Sequence, residues 1–123
     1  MSKGTILVIE PDGDIRKMLE IYFTGQGYDI ITLTNETQAW DFCLQKPDFI
    51  LVNKILSDKI DLKNRLKNND VLKHIPMLML CNKDQRSSAI RDPEFGQDDM
   101  FTIPFDIEEV RLRIENDMEQ AKK

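Results

Sequence analysis

A doubly wound α/β fold built on a parallel sheet is the fold class that this 123-residue sequence predicts. Short apolar runs alternate along the chain with segments of helical period, as successive βα units require. The runs are nearly continuous in aliphatic residues, which is typical of strands buried on both faces of a parallel sheet. A hydrophobic content of 41% suffices for one core in a chain of this length. We therefore expect one domain over residues 1–123.

Five apolar runs predict the five strands, and residues typical of turns separate them from the helices. The predicted strands are Thr5–Ile9, Tyr28–Leu33, Phe49–Val52, Met77–Cys81 and Met100–Ile103. Breaks between elements are predicted at Pro11 to Gly13, Gly25 to Gly27, Pro47, Pro76 and Pro104. Helical connections between such strands give a sheet that is covered on both faces.

Apolar residues three and four positions apart predict the helices. The inward positions are Ile15, Met18, Leu19, Tyr22 and Phe23 in the first helix, Ala39, Phe42 and Cys43 in the second, Leu62 and Leu66 in the third, and Ile107, Val110 and Ile114 in the last. Helix starts are predicted at Asp12 or Asp14, at Asn35 paired with Gln38, at Asp58 or Asp61, and at Asp106 paired with Glu109. The stretch 82–95 is polar and contains Pro93, so a fourth helix there would be short or irregular.

Composition and charge narrow the classes of partner. The chain has 22 acidic and 17 basic residues, and the net charge of -5 opposes contact with a nucleic-acid backbone. No apolar stretch approaches the roughly 20 residues of a membrane span, and the first ten residues lack the apolar centre of a signal peptide. We expect a cytoplasmic domain without membrane contact. Cys43 and Cys81 lie in apolar runs without CxxC spacing, which predicts buried thiols.

Chemistry in such a fold gathers at the carboxyl ends of the strands. The residues at those ends are Glu10 with Pro11, Asn53 with Lys54, Cys81 with Asn82, and Ile103 with Pro104. Few of these side chains are reactive, which already argues against an enzyme.

Four stretches in this order carry a resemblance to a known family. They are ILVIEPDGDIRKML, PDFILVNKILS, HIPMLMLCNKD and FGQDDMFTIPF. From Gly4 to the last helix, the chain resembles the receiver domain of response regulators in bacterial two-component, or phosphorelay, signalling. This resemblance implies a flavodoxin-like (βα)5 sandwich of three layers, with a five-stranded parallel sheet in the order 2-1-3-4-5.

The resemblance also implies which positions carry the chemistry of receivers. An acidic pair after strand one holds Mg²⁺, an aspartate that ends strand three is the nucleophile, and a hydroxyl and a lysine stabilise the phosphoryl group. In this chain the acidic pair falls on Glu10 and Pro11, the phosphoacceptor on Asn53, the hydroxyl on Cys81, the lysine on Ile103, and the aromatic residue that reports the switch on Met100. A carboxamide cannot form an acyl phosphate as a carboxylate does. We therefore predict no phosphoryl transfer, no resident metal and no cofactor.

Neighbouring charged residues are weak substitutes for the missing groups. Asp48 precedes Asn53 by five residues, about 16 Å along an extended strand, and cannot reach the site. Asp12, Asp58 or Asp61 could add a weak cation contact beside Glu10, although helix starts are the simpler interpretation. Strand alternation predicts that Lys54 points away from Asn53 and is solvated. His74 is expected at the surface, and Trp40 either in the core or as an interface anchor.

These observations favour a phosphorylation-independent protein-interaction module. The expected partners are a histidine kinase, an output domain or a second copy, bound through the face formed by the fourth helix, the fifth strand and the fifth helix. Two alternatives stay open. One is phosphoryl transfer on an unorthodox residue, and the other is a small-ligand sensor that uses the vacated acidic pocket, lined by Asn53, Cys81 and Ile103.

Overall fold

The five strands form one parallel sheet in the order β2-β1-β3-β4-β5. The structure is a computed structural model, and it describes residues 2–81 and 100–122. The strands are β1 Thr5–Ile9, β2 Asp29–Leu33, β3 Phe49–Asn53, β4 Met77–Cys81 and β5 Met100–Thr102. Every pair of neighbours runs parallel. The predicted fold class and strand order are confirmed, and the strand bounds differ by at most one residue.

Five helices connect or follow the strands in the described ranges. They are α1 Gly13–Gly25, α2 Ala39–Cys43, α3 Lys54–Lys59, α4 Leu62–Lys67 and α5 Ile107–Ala121. The sequence predicted one helix after the third strand, and the structure has two, α3 and α4. The helix that was not predicted is α3, which begins directly where β3 ends. The helix predicted over 82–95 lies outside the described residues. Within residues 2–81 and 100–122, no helix is both long enough and apolar enough to cross a membrane.

Alternate residues of the central strands pack into two separate cores. On one face, Ile6, Val8, Phe49 and Leu51 meet buried residues of α1 and α5. On the other face, Leu7, Ile9, Ile50 and Val52 meet buried residues of α2, α3 and α4. Burying one such side chain stabilises the fold by about 1.5–3 kcal/mol. The sheet is thus packed from both sides.

The caps confirm two of the predicted helix starts. Asp12 caps α1 through its Oδ1, which accepts hydrogen bonds from the backbone N–H groups of Asp14 at 2.9 Å and Ile15 at 3.2 Å. Asp106 caps α5 by accepting from the N–H of Glu108 at 2.9 Å. Both helices therefore begin on the carboxylate that the sequence indicated.

Other helix predictions were wrong in detail. Asn35 accepts from the N–H of Thr37 at 2.9 Å, a local turn, and α2 begins later, after Gln38, whose side chain makes no capping bond. A short polar side chain can satisfy nearby backbone in this way instead of opening a helix. Asp61, one of the two residues predicted to start the third helix, does occupy the N-cap position of α4. It lies in the left-handed region at a φ of 50°, and its side chain makes no capping bond. Met18, predicted to face inward, is 42% exposed.

Candidate functional site

Glu10 and Asn53 lie side by side at the carboxyl edge of the sheet. β1 and β3 are neighbours, and Ile9 is in register with Val52, which places the two following residues together. The Nδ2 of Asn53 donates to Oε1 of Glu10 at 3.3 Å. Glu10 is 1% exposed and Asn53 is 9% exposed. Two positions that the sequence analysis singled out thus form one buried polar pair.

The groups that donate hydrogen bonds to the carboxylate of Glu10 are neutral. The backbone N–H of Asp12 donates to Oε2 at 2.9 Å. The nearby guanidinium of Arg16 donates instead to the backbone carbonyl of Glu10 at 2.9 Å. Burial raises the pKa of Glu10 above its ordinary value of 4.5, although the hydrogen bonds from Asp12 and Asn53 oppose that rise. Among the described residues, no cationic side chain donates to this carboxylate.

Asn53 also begins the next helix. Its Oδ1 accepts from the backbone N–H of Ile55 at 3.0 Å, so that Asn53 is the N-cap of α3. Asparagine is among the best N-cap residues, since its side-chain oxygen satisfies an N–H that has no partner within the helix. Both ends of the carboxamide are therefore engaged, one with Glu10 and the other with α3.

Lys54 is buried, and the prediction that it is solvated was wrong. Its side chain is 9% exposed and pairs with Asp58, four residues later in α3. Two physical reasons explain the difference. The strand ends at Asn53, so alternation does not extend to Lys54, and both faces of this sheet are covered by helices rather than water. Asp58 pairs with Lys54 and does not cap a helix.

An open cleft of about 440 Å³ lies above Glu10 and Asn53. The described residues in its walls are mostly aliphatic and include Pro11, Ile15, Ile55, Leu56 and Ile103. Among the same described residues, the other polar side chains that line it are Asp12 and Lys59. The sequence analysis missed Lys59, whose Nζ is 4.0 Å from a carboxylate oxygen of Glu36. Helical spacing from Ile55 to Lys59 places both on one face of α3, but that signal required knowing that α3 exists.

Cys81 does not line the cleft, which corrects the predicted lining of Asn53, Cys81 and Ile103. The Cys81 side chain is fully buried, and its Sγ is 3.8 Å from the backbone carbonyl of Phe101. Side chains alternate along β4, so this thiol faces the core that contains Met79 and Met100. Met100, the position of the switch aromatic, is 5% exposed in that same core. Cys43 is likewise buried, as predicted for both thiols.

The side chains around the cleft do not match what Mg²⁺ requires. This ion demands near-octahedral coordination by oxygen, usually from one or two carboxylates. Glu10 is a single carboxylate, Pro11 has no ligating group, and Asn53 turns its NH₂ group toward Glu10. In residues 2–81 and 100–122, no group of three acidic, histidine or cysteine side chains is placed to hold a metal.

Comparisons with known proteins agree with the fold described above. No family model matches the chain. A solved signal receiver domain of a signal transduction histidine kinase from Syntrophus aciditrophicus superposes with a TM-score of 0.83 at 24% identity, over 98% of this chain and 93% of that one. The chain has the receiver fold. Its structural neighbours include a response regulator receiver domain protein from Clostridium thermocellum, with a TM-score of 0.81 at 16% identity, over 99% of this chain and 98% of that one.

The curated relatives that this chain resembles are transcriptional regulatory proteins. The phosphate regulon transcriptional regulatory protein PhoB of Pseudomonas aeruginosa is 33% identical over 113 residues, which are 89% of this chain and 49% of that protein. The transcriptional regulatory protein KdpE of Staphylococcus aureus is 32% identical over 115 residues, which are 91% of this chain and 48% of that protein. The chain therefore spans about half the length of the curated relatives it matches. Homologues and structural neighbours are response regulators and receiver domains.

Proposed function

We propose that this chain is a receiver-type domain of two-component signalling that acts by binding a protein partner and is not phosphorylated. The observation that carries the proposal is the chemical identity of the Asn53 side chain and its hydrogen bonds. At the position where the resemblance implies a nucleophilic aspartate, this carboxamide donates to Glu10 and caps α3. It has no carboxylate oxygen to attack a phosphoryl group, and its polar atoms are committed to the fold.

The other positions support the same proposal. Phosphoryl transfer depends on cations and hydrogen-bond donors over the developing charge. Pro11 and Ile103 line the cleft with aliphatic surface, and the Cys81 thiol faces the core instead. Lys59 supplies a cation at the rim, but it arises from α3 and stands near Glu36.

The partner would be a histidine kinase, an output domain or a second copy of the chain. An output domain is supported by the length of the curated relatives, about twice that of this chain. The exposed face of α5 is a candidate surface, since Leu112 on it is 58% exposed. The predicted fourth helix of that face lies outside the described residues. The net charge of -5 supports a contact with protein rather than nucleic acid. As a separate part of the proposal, we place the domain in the cytoplasm.

Intact-mass spectrometry after incubation with acetyl phosphate and Mg²⁺ tests the proposal directly. We expect no mass gain of a phosphoryl group, at acidic or neutral quench, under conditions that fully modify a receiver with an intact site. Asn53→Asp is measured beside the native chain, because it restores the nucleophile alone. A stoichiometric adduct on the native chain would favour unorthodox phosphoryl transfer and overturn the proposal.

A further inference from the structure

We propose that the cleft above Glu10 and Asn53 binds a primary alkylammonium group, which is an aliphatic stem ending in a protonated amine. The inference goes beyond partner binding, since it assigns a ligand chemistry to the vacated edge of the sheet. It rests on three features of the cleft: the charge at its floor, the balance of charge around it, and the nature of its walls.

At the floor of the cleft, no cation among the described residues pairs with the carboxylate of Glu10. Glu10 is 1% exposed, and its oxygens accept from a backbone N–H and from a carboxamide, both of them neutral. Buried carboxylates are ordinarily paired with a cation. Each carboxylate oxygen can accept two hydrogen bonds, and one is used on each. An ammonium group has three N–H donors and would supply the missing charge.

The charges that line the cleft favour a cation over an anion. The charged side chains described in the lining are Glu10, Asp12 and Lys59, with a formal sum of -1. Lys59 is the cation among them, and a carboxylate oxygen of Glu36 lies 4.0 Å from its Nζ. The guanidinium of Arg16 is held by the backbone carbonyls of Glu10 and Pro11, and not by the carboxylate.

The walls select an alkyl stem and disfavour the other kinds of cation. Pro11, Ile15, Ile55 and Ile103 present aliphatic surface, and Ile55 is 48% exposed. A hydrated metal ion gains nothing from such walls. Quaternary ammonium groups are recognised by aromatic rings, and the described lining contains none. A primary ammonium on a short alkyl chain matches both the floor and the walls.

NMR titration of the full chain with n-butylammonium chloride at neutral pH provides the test. The probes are the backbone amide of Asp12 and the side-chain amide of Asn53, the two donors on Glu10. We expect saturable shifts with a Kd of about 1–10 mM, the range open to so small a ligand. Butan-1-ol has the stem without the charge, ammonium chloride the charge without the stem, and magnesium chloride a hard cation. Each should bind at least about tenfold more weakly.

Three variants locate the site. Glu10→Gln removes the floor charge and should weaken n-butylammonium by about tenfold or more. Asp12→Asn removes one rim charge but keeps an N-cap of equal quality, so its fold is secure, and it should weaken binding about twofold to fivefold. Ile55→Ser removes exposed wall surface and should weaken binding severalfold.

A matched control separates the cleft from general surface charge. Glu20→Gln removes a carboxylate from the exposed face of α1, about 12 Å along that helix from Asp12, and should leave binding unchanged. The proposal is overturned if no saturable shift occurs, if butan-1-ol or Mg²⁺ binds as tightly as n-butylammonium, or if Asp12→Asn binds as the native chain does. None of these outcomes alters the mass-spectrometric test of phosphorylation. The proposal of alkylammonium binding can therefore fail while the proposed function holds, and the reverse is also true.

Discussion

Glu10 is a carboxylate that the fold removes from water, and no charged side chain in residues 2–81 and 100–122 donates a hydrogen bond to it. Its neighbours in the described ranges contribute two neutral hydrogen bonds, and burial is the largest influence on its pKa, which lies above the ordinary 4.5. The folded chain therefore keeps the proton of Glu10 to a higher pH than the unfolded chain does. A group of this kind links the stability of the domain to pH.

The sign of that link gives a prediction. Because the folded-state pKa is raised, the contribution of Glu10 to the free energy of unfolding is fully present below about pH 4.5 and is lost as pH rises through the folded-state pKa. Glu10→Gln cannot titrate. We expect the difference in unfolding free energy, native minus Glu10→Gln, to fall as pH rises through this window. Urea denaturation at several pH values from about 4 to about 7 measures it.

The comparison does not require the two proteins to be equally stable, because only the slope of their difference matters. A difference that stays constant over the whole range, or that grows with pH, would contradict the raised pKa. It would show that Glu10 is hydrated in solution or paired with a cation.

At the scale of secondary structure, α3 decides how the carboxyl edge of the sheet is built. It begins on Asn53 without an intervening loop, and it brings Ile55 and Lys59 to the cleft while burying Lys54. The edge is therefore lined partly by a helix face. Asn53 therefore has a structural role, as the N-cap of α3, in addition to its place in the candidate site.

The strands were predictable from the sequence, because a strand covered on both faces must be apolar throughout. Thr5–Ile9 and Met77–Cys81 have the predicted bounds, and the adjacency of Glu10 and Asn53 follows from the strand order. The part that was missed depends on α3, whose six residues are too few for a helical period to be recognised. The unrecognised start of α3 is the reason why Lys59 was overlooked and one of the two reasons why Lys54 was misplaced.

The capping role of Asn53 predicts a stability change that is separate from any chemistry. Asn53→Ala removes the acceptor for the N–H of Ile55 and the donor to Glu10, and we expect it to lower the free energy of unfolding by about 1–3 kcal/mol. Asn68→Ala is the matched control, since Asn68 is exposed at the end of α4. It should change stability by less than about 0.5 kcal/mol. Urea denaturation of both variants gives the comparison, and equal effects would show that the cap contributes nothing.

Over the whole molecule, the residues that hold the strands together are largely different from the side chains at the carboxyl edge of the sheet. The two apolar clusters lie on opposite faces of the sheet and fix its strands along their length. Glu10, Asn53 and Ile103 come from three different strand ends and are positioned by that sheet, whatever their side chains are. This explains how the receiver fold persists with aliphatic and carboxamide residues at the positions where the resemblance implies acidic and basic ones.

This separation predicts that the chemistry of receivers can be rebuilt on this backbone. The variant that combines Pro11→Asp, Asn53→Asp, Cys81→Thr and Ile103→Lys places a second acid, the nucleophile and a cation at the cleft, and a hydroxyl at the end of β4. We expect it to gain one phosphoryl group from acetyl phosphate with Mg²⁺ in intact-mass spectrometry. Asn53→Asp alone should gain little, because a nucleophile without a bound metal and a stabilising cation lacks most of the charge compensation.

Two controls make the result decisive. Circular dichroism must show that the four-residue variant is folded, and removal of Mg²⁺ with a chelator should abolish its modification, since the rebuilt acidic residues act through the metal. A matched variant that carries the other three substitutions but keeps the native Asn53 should take up no phosphoryl group, because it lacks the nucleophile. A folded four-residue variant that is not modified would mean that these strand ends are not placed as in a working receiver. The proposed absence of phosphorylation would then have its cause in the backbone and not only in the four substituted side chains.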